Sequence, residues 1–442
     1  MKKKKNGFLK TVTDPNGLTT TYHYDVLGDL IKTEYPNGVL EEKSKKWVVT
    51  NPAYPKYHPD TPEFGSPVYF EWSKRSGEGE RYVFCDQHNR KIREVALSLC
   101  GKKIYTDYHY HDVTGLLTSV SNPYLPGNDE TPCFTEYTYD YLDRMIRVNR
   151  ADGAVMTHNY NGTTESIQDF DQRKTVLHFN NAGLVTKSEN MGSQGNAPIT
   201  EVNYTYYGDG KVKSTKTSND AATTVTYIYD ANRNPLSITD PSLGELTYNY
   251  NAFGELTASS TPRDETSYTY DALGRMTQRS GGDGHSYWTY DNGFVGALSR
   301  TKYVPAGGPI VTEDFQYDSL GRLIRQTQKV GNGEERAFDC AYNRLGKQSS
   351  LTYPSGKKVK YHYNRKGFMD RVKDAATGEV LWQAVASDRW GNISSFTEGN
   401  IDVNCSYDPV TGLVNNIRAK RNGTMLLDQS YHWTTTGNLQ WR

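Results

Sequence analysis

The chain has 442 residues, enough for two or three ordinary domains or for one long repeat array. Lys plus Arg equals Asp plus Glu at 51 each, so the net charge is zero and the basic surplus of a nucleic-acid binder is missing. No stretch approaches the roughly twenty apolar residues that span a bilayer. The five cysteines contain no C-x-x-C pair, so their spacing gives neither a disulfide framework nor a zinc site.

Tyrosine is the outlier, with 34 residues against 13 Phe and 7 Trp. A mean hydropathy of −0.77 points toward disorder, but the aromatic content points the other way. A tyrosine ring is a large apolar body with a polar tip, so rows of them build an interior that stays partly hydrated. The chain is expected to fold around a tyrosine-rich inner surface and not an aliphatic core.

In chain order, residues 2–5 are all lysine. No apolar segment follows them, so they read as a solvated start and not as a signal peptide or membrane anchor. Residues 13–17 form a turn, 18–24 a strand, 25–28 a second turn and 29–35 the returning strand. Residues 36–38, Pro-Asn-Gly, turn again. Two turn types are expected to alternate, a D-x-x-G turn at one end of each hairpin and a looser Pro/Gly turn at the other.

Residues 47–72 break this rhythm as an insertion. Pro52, Pro55, Pro59, Pro62 and Pro67 remove donors and stiffen the chain, which predicts a strap with little sheet. Its aromatics (Trp47, Tyr54, Tyr57, Phe64, Tyr69, Phe70 and Trp72) are expected to pack it against the body. Residues 122–132 are a second insertion, rich in Pro, Gly and acid.

The repeat is clearest at residues 267–277, Ser-Tyr-Thr-Tyr-Asp-Ala-Leu-Gly-Arg-Met-Thr. Tyr268 and Tyr270 lie two apart and point to one face of an extended chain. Asp271 and Gly274 fit the first and fourth positions of a type I turn, where Asp accepts backbone bonds and Gly takes the left-handed conformation. Similar words stand at 22–30, 248–256, 315–323 and 361–367. Asn replaces Asp in some copies. Asp143 and Asn89 replace Gly, and these residue types tolerate positive φ next best. The second tyrosine recurs every twenty to twenty-five residues or so, as Tyr139, Tyr160, Tyr206, Tyr229, Tyr250 and onward to Tyr363, with Phe179 filling one place. About fifteen hairpin units therefore make one continuous array over residues 1–442. A flat sheet of so many strands is unstable, because strands twist with a fixed hand, so the ribbon must coil into a spiral or barrel-like wall. A propeller would need blades of about forty residues with signature motifs that are missing here.

The Y-x-Y-D-x-x-G-R-L core, carried nearly letter for letter by residues 268–276 and 317–323, resembles the tyrosine-aspartate (YD) repeats of the Rhs family. Those repeats are shared with the C-subunits of bacterial ABC toxin complexes and with teneurins. The resemblance implies an all-β fold of antiparallel β-hairpin repeats wound into a hollow YD-repeat shell that encloses a C-terminal effector, often a toxin. It implies a secreted or cell-surface setting and, as partners, the enclosed effector or flanking shell segments. The family's plug, an R-Y-x-P-x-x-G-R-F-like segment near which the polypeptide cuts itself, has no counterpart in these residues. Self-cleavage is therefore not carried over, and the chain reads as a segment of shell wall or a short relative.

Other motifs were weighed against structural roles. His109 and His111 could chelate a metal, yet His109 shares its repeat slot with His23, His362 and His432, and with Thr138 and Thr269. A slot that takes His or Thr is a packing or surface position. Nearly all Asp residues occupy turn positions; Asp169 and Asp171 are exceptions without an identifiable partner acid. Residues 281–284 and 331–333 are glycine-rich but lie between strands, so they are hairpin loops and not phosphate cradles. Cys85, Cys340 and Cys405 read as buried small hydrophobes. Residues 161–163, 203–205, 392–394, 404–406 and 422–424 match the glycosylation pattern, which matters only in a eukaryotic secretory setting. The expectation is a non-enzymatic shell segment with no catalytic, cofactor-binding or metal residue and no cofactor. The alternative is a cell-surface module that binds carbohydrate or protein through exposed tyrosine rows. Strand edges left open by either arrangement invite self-association.

Overall fold

The computed structural model describes residues 2–3, 7–48, 58–127, 131–192, 198–218 and 220–442. Among these residues it contains 39 strands and one short 3-10 turn, Ala221–Thr223. The fold is all-β, and every strand pairing in it is antiparallel between neighbours in sequence. The chain divides into two compact units, one of residues 1–155 with 339–442 and the other of residues 156–338.

The second unit shows the repeat in its plain form. Strand Glu265–Tyr270 pairs with Met276–Gly281 so that Thr269 faces Gln278. The register then slips between Thr269 and Tyr270, and Tyr270 faces Met276. The slip is a β-bulge, closed by Gly274 at φ +76°. The same slip precedes the turn at Tyr206, Tyr229, Tyr250, Tyr290 and Tyr317. Accessibility alternates along Glu265–Tyr270: Thr266, Tyr268 and Tyr270 are buried or half-buried, and Glu265, Ser267 and Thr269 are exposed. The most buried positions of this unit are small and polar, among them Ser237, Thr266, Ser299 and Thr327. Small side chains there leave room for neighbouring rings, so the sheet buries tyrosine bodies without an aliphatic core.

The first unit has two arms of hairpins. At the first repeat the turn at the other hairpin end is not of the looser type expected. Asp14 to Gly17 closes with Gly17 N donating to Asp14 O at 3.0 Å and Asp14 N to Leu18 O at 3.0 Å. That is the bonding of the D-x-x-G turn at Asp25 to Gly28. The turn at Tyr35 to Gly38 bonds in the same way, whereas other turns at that end are tighter, with Arg421 facing Thr424 across two residues. As expected, Asp143 and Asn89 stand in for Gly at φ +60° and +63°. Arg233 does the same at φ +72°.

The insertion contains more sheet than its prolines predict, because Tyr69–Arg75 is a regular strand paired with Leu40–Trp47 and Arg81–Cys85. Prolines 59, 62 and 67 all lie outside it. Pro52, Pro55, Tyr54 and Tyr57 lie outside the described residues, as do Lys4, Lys5 and parts of the loops at 122–132 and 191–198. The rest of the strap packs down. Phe70, Phe84, Ile92, Val95, Tyr105 and Tyr124 form an apolar cluster, with Phe64 and Trp72 against it. His58 lies with its ring centroid 4.9 Å from Phe70 and 4.5 Å from Tyr82.

Within this unit the later arm docks on the earlier one through turns. Gly79 N donates to Lys366 O at 3.1 Å. Asn364 Nδ2 donates to Leu99 O at 3.0 Å, Asn122 Nδ2 to Val410 O at 2.8 Å, and Arg150 Nη1 to Thr435 O at 2.9 Å. In each case a Y-x-Y-D turn of residues 339–442 meets the opposite hairpin end of residues 1–155. Leu345 lies so close to Gly77 that a Cβ there would stand 2.2 Å from its Cδ1.

Candidate functional site

The Y-x-Y-D-x-x-G-R word is best understood as a site in its own right. Asp271 Oδ1 accepts from Leu273 N at 2.9 Å and from Arg275 N at 3.0 Å. Its Oδ2 accepts from Arg275 Nε at 2.7 Å. These bonds, led by that from Arg275, hold the Asp271 carboxyl below the usual carboxylate range. Asp318 with Arg322 and Asp140 with Arg144 repeat this geometry.

The remaining letters connect one hairpin to the next. Tyr290 donates its hydroxyl to Met276 O at 2.9 Å, a carbonyl of the preceding unit. Arg275 of that unit lies over the Tyr290 ring, 4.4 Å from its centroid. The same hydroxyl-to-carbonyl bond runs from Tyr270 to Leu256 at 2.8 Å, from Tyr317 to Leu298 at 2.8 Å, and from Tyr407 to Ile393 at 3.0 Å. It recurs from Tyr110, Tyr139, Tyr206 and Tyr363, and Trp433 Nε1 replaces it with a bond to Val414 O at 2.7 Å. The acceptor lies two residues after the positive-φ residue that closes the turn, Gly274 for Met276, Gly296 for Leu298, Gly412 for Val414 and Asn89 for Lys91. Arg90 over Tyr110 and Lys347 over Tyr363 repeat the cation contact. Burial raises the Tyr317 hydroxyl above its ordinary value, and burial with Cys405 nearby pushes Tyr407 up to about 12. These two hydroxyls therefore stay protonated and remain donors across the neutral range.

Sequence reasoning missed this lock. It assigned the paired tyrosines to lining a surface, whereas the second tyrosine is a donor with a fixed acceptor. The signal was present: the slot takes Tyr far more often than Phe, and only the hydroxyl distinguishes them. Phe179 and Cys85 occupy the slot without a hydroxyl, and burial pushes the Cys85 thiol up, consistent with the apolar role expected of it.

A second polar arrangement lies beneath the strap. Asp60, only 2% exposed, accepts from Lys103 Nζ at 2.7 Å and from the Tyr105 hydroxyl. Asp107 is bound in two places by Arg93, at 2.6 and 2.7 Å, and accepts from Tyr124 at 2.7 Å. Burial lowers the His58 pKa, which keeps the imidazole neutral against its aromatic neighbours. These charges are saturated by each other, so the arrangement holds the strap and presents no free group for chemistry. A cavity of about 390 Å³ opens beside it, lined by Phe64, Arg90, Tyr108 and His109 among others.

The two histidines do not converge. The His109 ring stacks on Phe64 at 4.5 Å, whereas His111 Nδ1 accepts from Val113 N at 3.3 Å inside the next turn. Among the described residues no three His, Cys, Asp or Glu side chains gather as metal ligands would. Asp169 is not the exception its sequence suggested. Gln172 at φ +63° replaces glycine, and Arg173 N donates to Asp169 Oδ1 at 2.8 Å, so Asp169 begins a turn of the same kind. Asp171 lies 3.5 Å from Arg173. The glycine-rich residues 281–284 close a hairpin in which Gly281 faces Gly284.

The RHS Repeat family model matches residues 5–40 and 250–286, two stretches that contain the turns at Asp25 and Asp271. Those two stretches are RHS repeats. No curated protein matches it in sequence. Solved structures match its fold over nearly its whole length. The crystal structure of TcdB2-TccC3 superposes with a TM-score of 0.72 at 14% identity, covering 97% of this chain and 28% of that one. TcdB2-TccC3-TEV gives 0.73 at 12% identity, with 98% and 30% covered. The Photorhabdus luminescens Tc holotoxin pore gives 0.72 at 12%, again with 98% and 30% covered. The chain thus spans less than a third of the length of the proteins whose fold it shares. Among its described residues no helix is long and apolar enough to cross a membrane.

Proposed function

We propose that this chain is a non-enzymatic wall segment, one continuous RHS-repeat ribbon whose coiled hairpins help enclose a passenger polypeptide outside the cell. The observation that carries this reading is the tyrosine lock. Many hairpins bind the preceding one through a tyrosine hydroxyl, and several add a cation over the ring, so repeated nearest-neighbour contacts hold the ribbon together. Such a ribbon uses its repeated letters for continuity of the wall, and its turn aspartates are engaged in backbone bonds. Flanking segments of the same construction complete the enclosure, in keeping with the share of the TcdB2-TccC3 chains that this one covers.

The same lock weakens the alternative of a carbohydrate-binding surface. Ring faces suited to stacking on sugars carry a guanidinium or ammonium at Tyr110, Tyr229, Tyr290 and Tyr363. A glycan array should stay blank.

The test joins a protease-sensitive reporter polypeptide behind Arg442 and follows its digestion beside the same reporter alone. Enclosure predicts digestion slowed several-fold and restored to the free rate when the wall is denatured. Equal rates for the joined and free reporters would overturn the proposal.

A further inference from the structure

The turn docking inside the first unit leaves two edges unused. In residues 339–442 the Y-x-Y-D turns are taken up by the opposite hairpin ends of residues 1–155, and Leu345, half-buried, lies over Gly77. Among the described residues, the Y-x-Y-D turns of residues 1–155 are the same structures with their tips left exposed. At their tips Val26 is 100% exposed, Leu27 85%, Val113 89%, Tyr141 90% and Leu142 56%. Leu27, Leu142 and Leu345 occupy the same position of the same turn, so the contrast is one of docking and not of sequence.

The opposite, unused edge belongs to residues 339–442. It consists of the turns Tyr353 to Gly356, Asp374 to Gly378, Glu398 to Asn400 and Arg421 to Gly423. These are the same end of the hairpin that, in residues 1–155, receives a Y-x-Y-D turn. The two free edges also complement each other in charge. Asp25, Asp29, Asp112 and Asp143 are exposed on the first, and Lys357, Lys358, Lys420 and Arg421 outnumber the exposed Glu379 and Glu398 on the second.

We infer that two copies of this chain stack head to tail, the exposed Y-x-Y-D tips of residues 1–155 in one copy receiving the free turns of residues 353–423 in the other. The contact reproduces between copies the docking that already joins the two arms within one copy. Because the two edges differ, the contact is heterologous and leaves one edge of each kind free, so assembly proceeds beyond two copies. It does not depend on the enclosing role, and it differs from strand-edge pairing, in which backbone ladders would join.

Light scattering of the full chain across the micromolar range tests this. The mass should rise with concentration without settling at two copies, and should fall in high salt. The double variant Leu27→Lys, Tyr141→Lys removes one edge, and Lys357→Glu, Arg421→Glu removes the other. Each variant alone should remain one copy at every concentration, and mixing them should restore association, because each still offers the edge the other lacks. A wild-type chain that stays single would overturn the inference, as would variants that associate as well as wild type, or a mixture that restores nothing. Circular dichroism and melting confirm that the variants fold. Should the first fail to do so, Val113→Lys at another exposed tip takes its place.

Discussion

The same cross-strand pair occurs in two settings. Arg93 and Asp107 face each other beneath the strap, with Nε to Oδ1 at 2.6 Å and Nη2 to Oδ2 at 2.7 Å. Arg300 and Asp314 face each other in the second unit, at 2.6 and 3.1 Å for the same atoms. The first pair's side chains are 12% and 4% exposed, and the second pair's 56% and 34%. The geometry is nearly identical and the surroundings are opposite. Where the strap covers the sheet, an apolar cluster lies beneath it with charges that must satisfy one another. Elsewhere it is a bare ribbon whose cohesion comes from small contacts repeated many times.

The largest effect that would sharpen this contrast comes from removing each carboxylate in turn. Asp107→Ala leaves a buried guanidinium unpaired, which costs about 3–5 kcal/mol. Asp314→Ala leaves its arginine in water and costs about 0–1 kcal/mol. Urea unfolding of the two variants should show a clear loss of midpoint for the first and almost none for the second. Equal losses would mean that the strap does not set the environment of Arg93.

Much of the ribbon was legible in the sequence because its signals are local. Asp271 to Gly274 states the turn, the alternation at Tyr268 and Tyr270 states the strand, and Asp143 announces a positive φ by standing where glycine usually stands. What escaped was whatever joins residues distant in sequence or alike in letters. The acceptor for Tyr290 is a backbone carbonyl of Met276, and a carbonyl leaves no mark on residue identity. Asp169 was misread because its glycine is replaced by Gln172, a residue type that rarely adopts φ above zero. The burial of Asp60 depends on Lys103 and Tyr105, more than forty residues away in the chain, and no spacing rule connects them.

A smaller effect probes the bare ribbon directly. Tyr317→Phe keeps the ring and deletes only the bond to Leu298 O, which should cost about 1 kcal/mol. Because stability in such arrays is shared between neighbours, the loss should be local. Amide exchange should quicken in strands Leu298–Pro305 and Val311–Tyr317 and stay unchanged at Phe84 beneath the strap. Uniform loosening of the whole chain would show that the ribbon unfolds as one block, and the contrast between its regions would lose its energetic meaning.

The smallest expected effect concerns acid. Asp291 accepts from Arg275 at 2.9 and 2.6 Å and from Gly296 N at 2.6 Å, and these bonds, led by Arg275, bring its pKa down to about 2. An unfolded Asp titrates near 3.9 or so. The folded value is therefore the lower one, and the contribution of this carboxylate is fully present above the unfolded value. It is lost as pH falls from there through about 2. Arg275→Gln should return Asp291 toward the ordinary carboxylate range, read as the midpoint of its side-chain carboxyl signal in NMR titration. The same substitution uncovers the Tyr290 ring and frees one oxygen of Asp271, so one residue touches the turn, the ring and the next turn's carboxylate. If the Asp291 midpoint did not move, the guanidinium would be a bystander there, and the lock between hairpins would rest on the tyrosine hydroxyl alone.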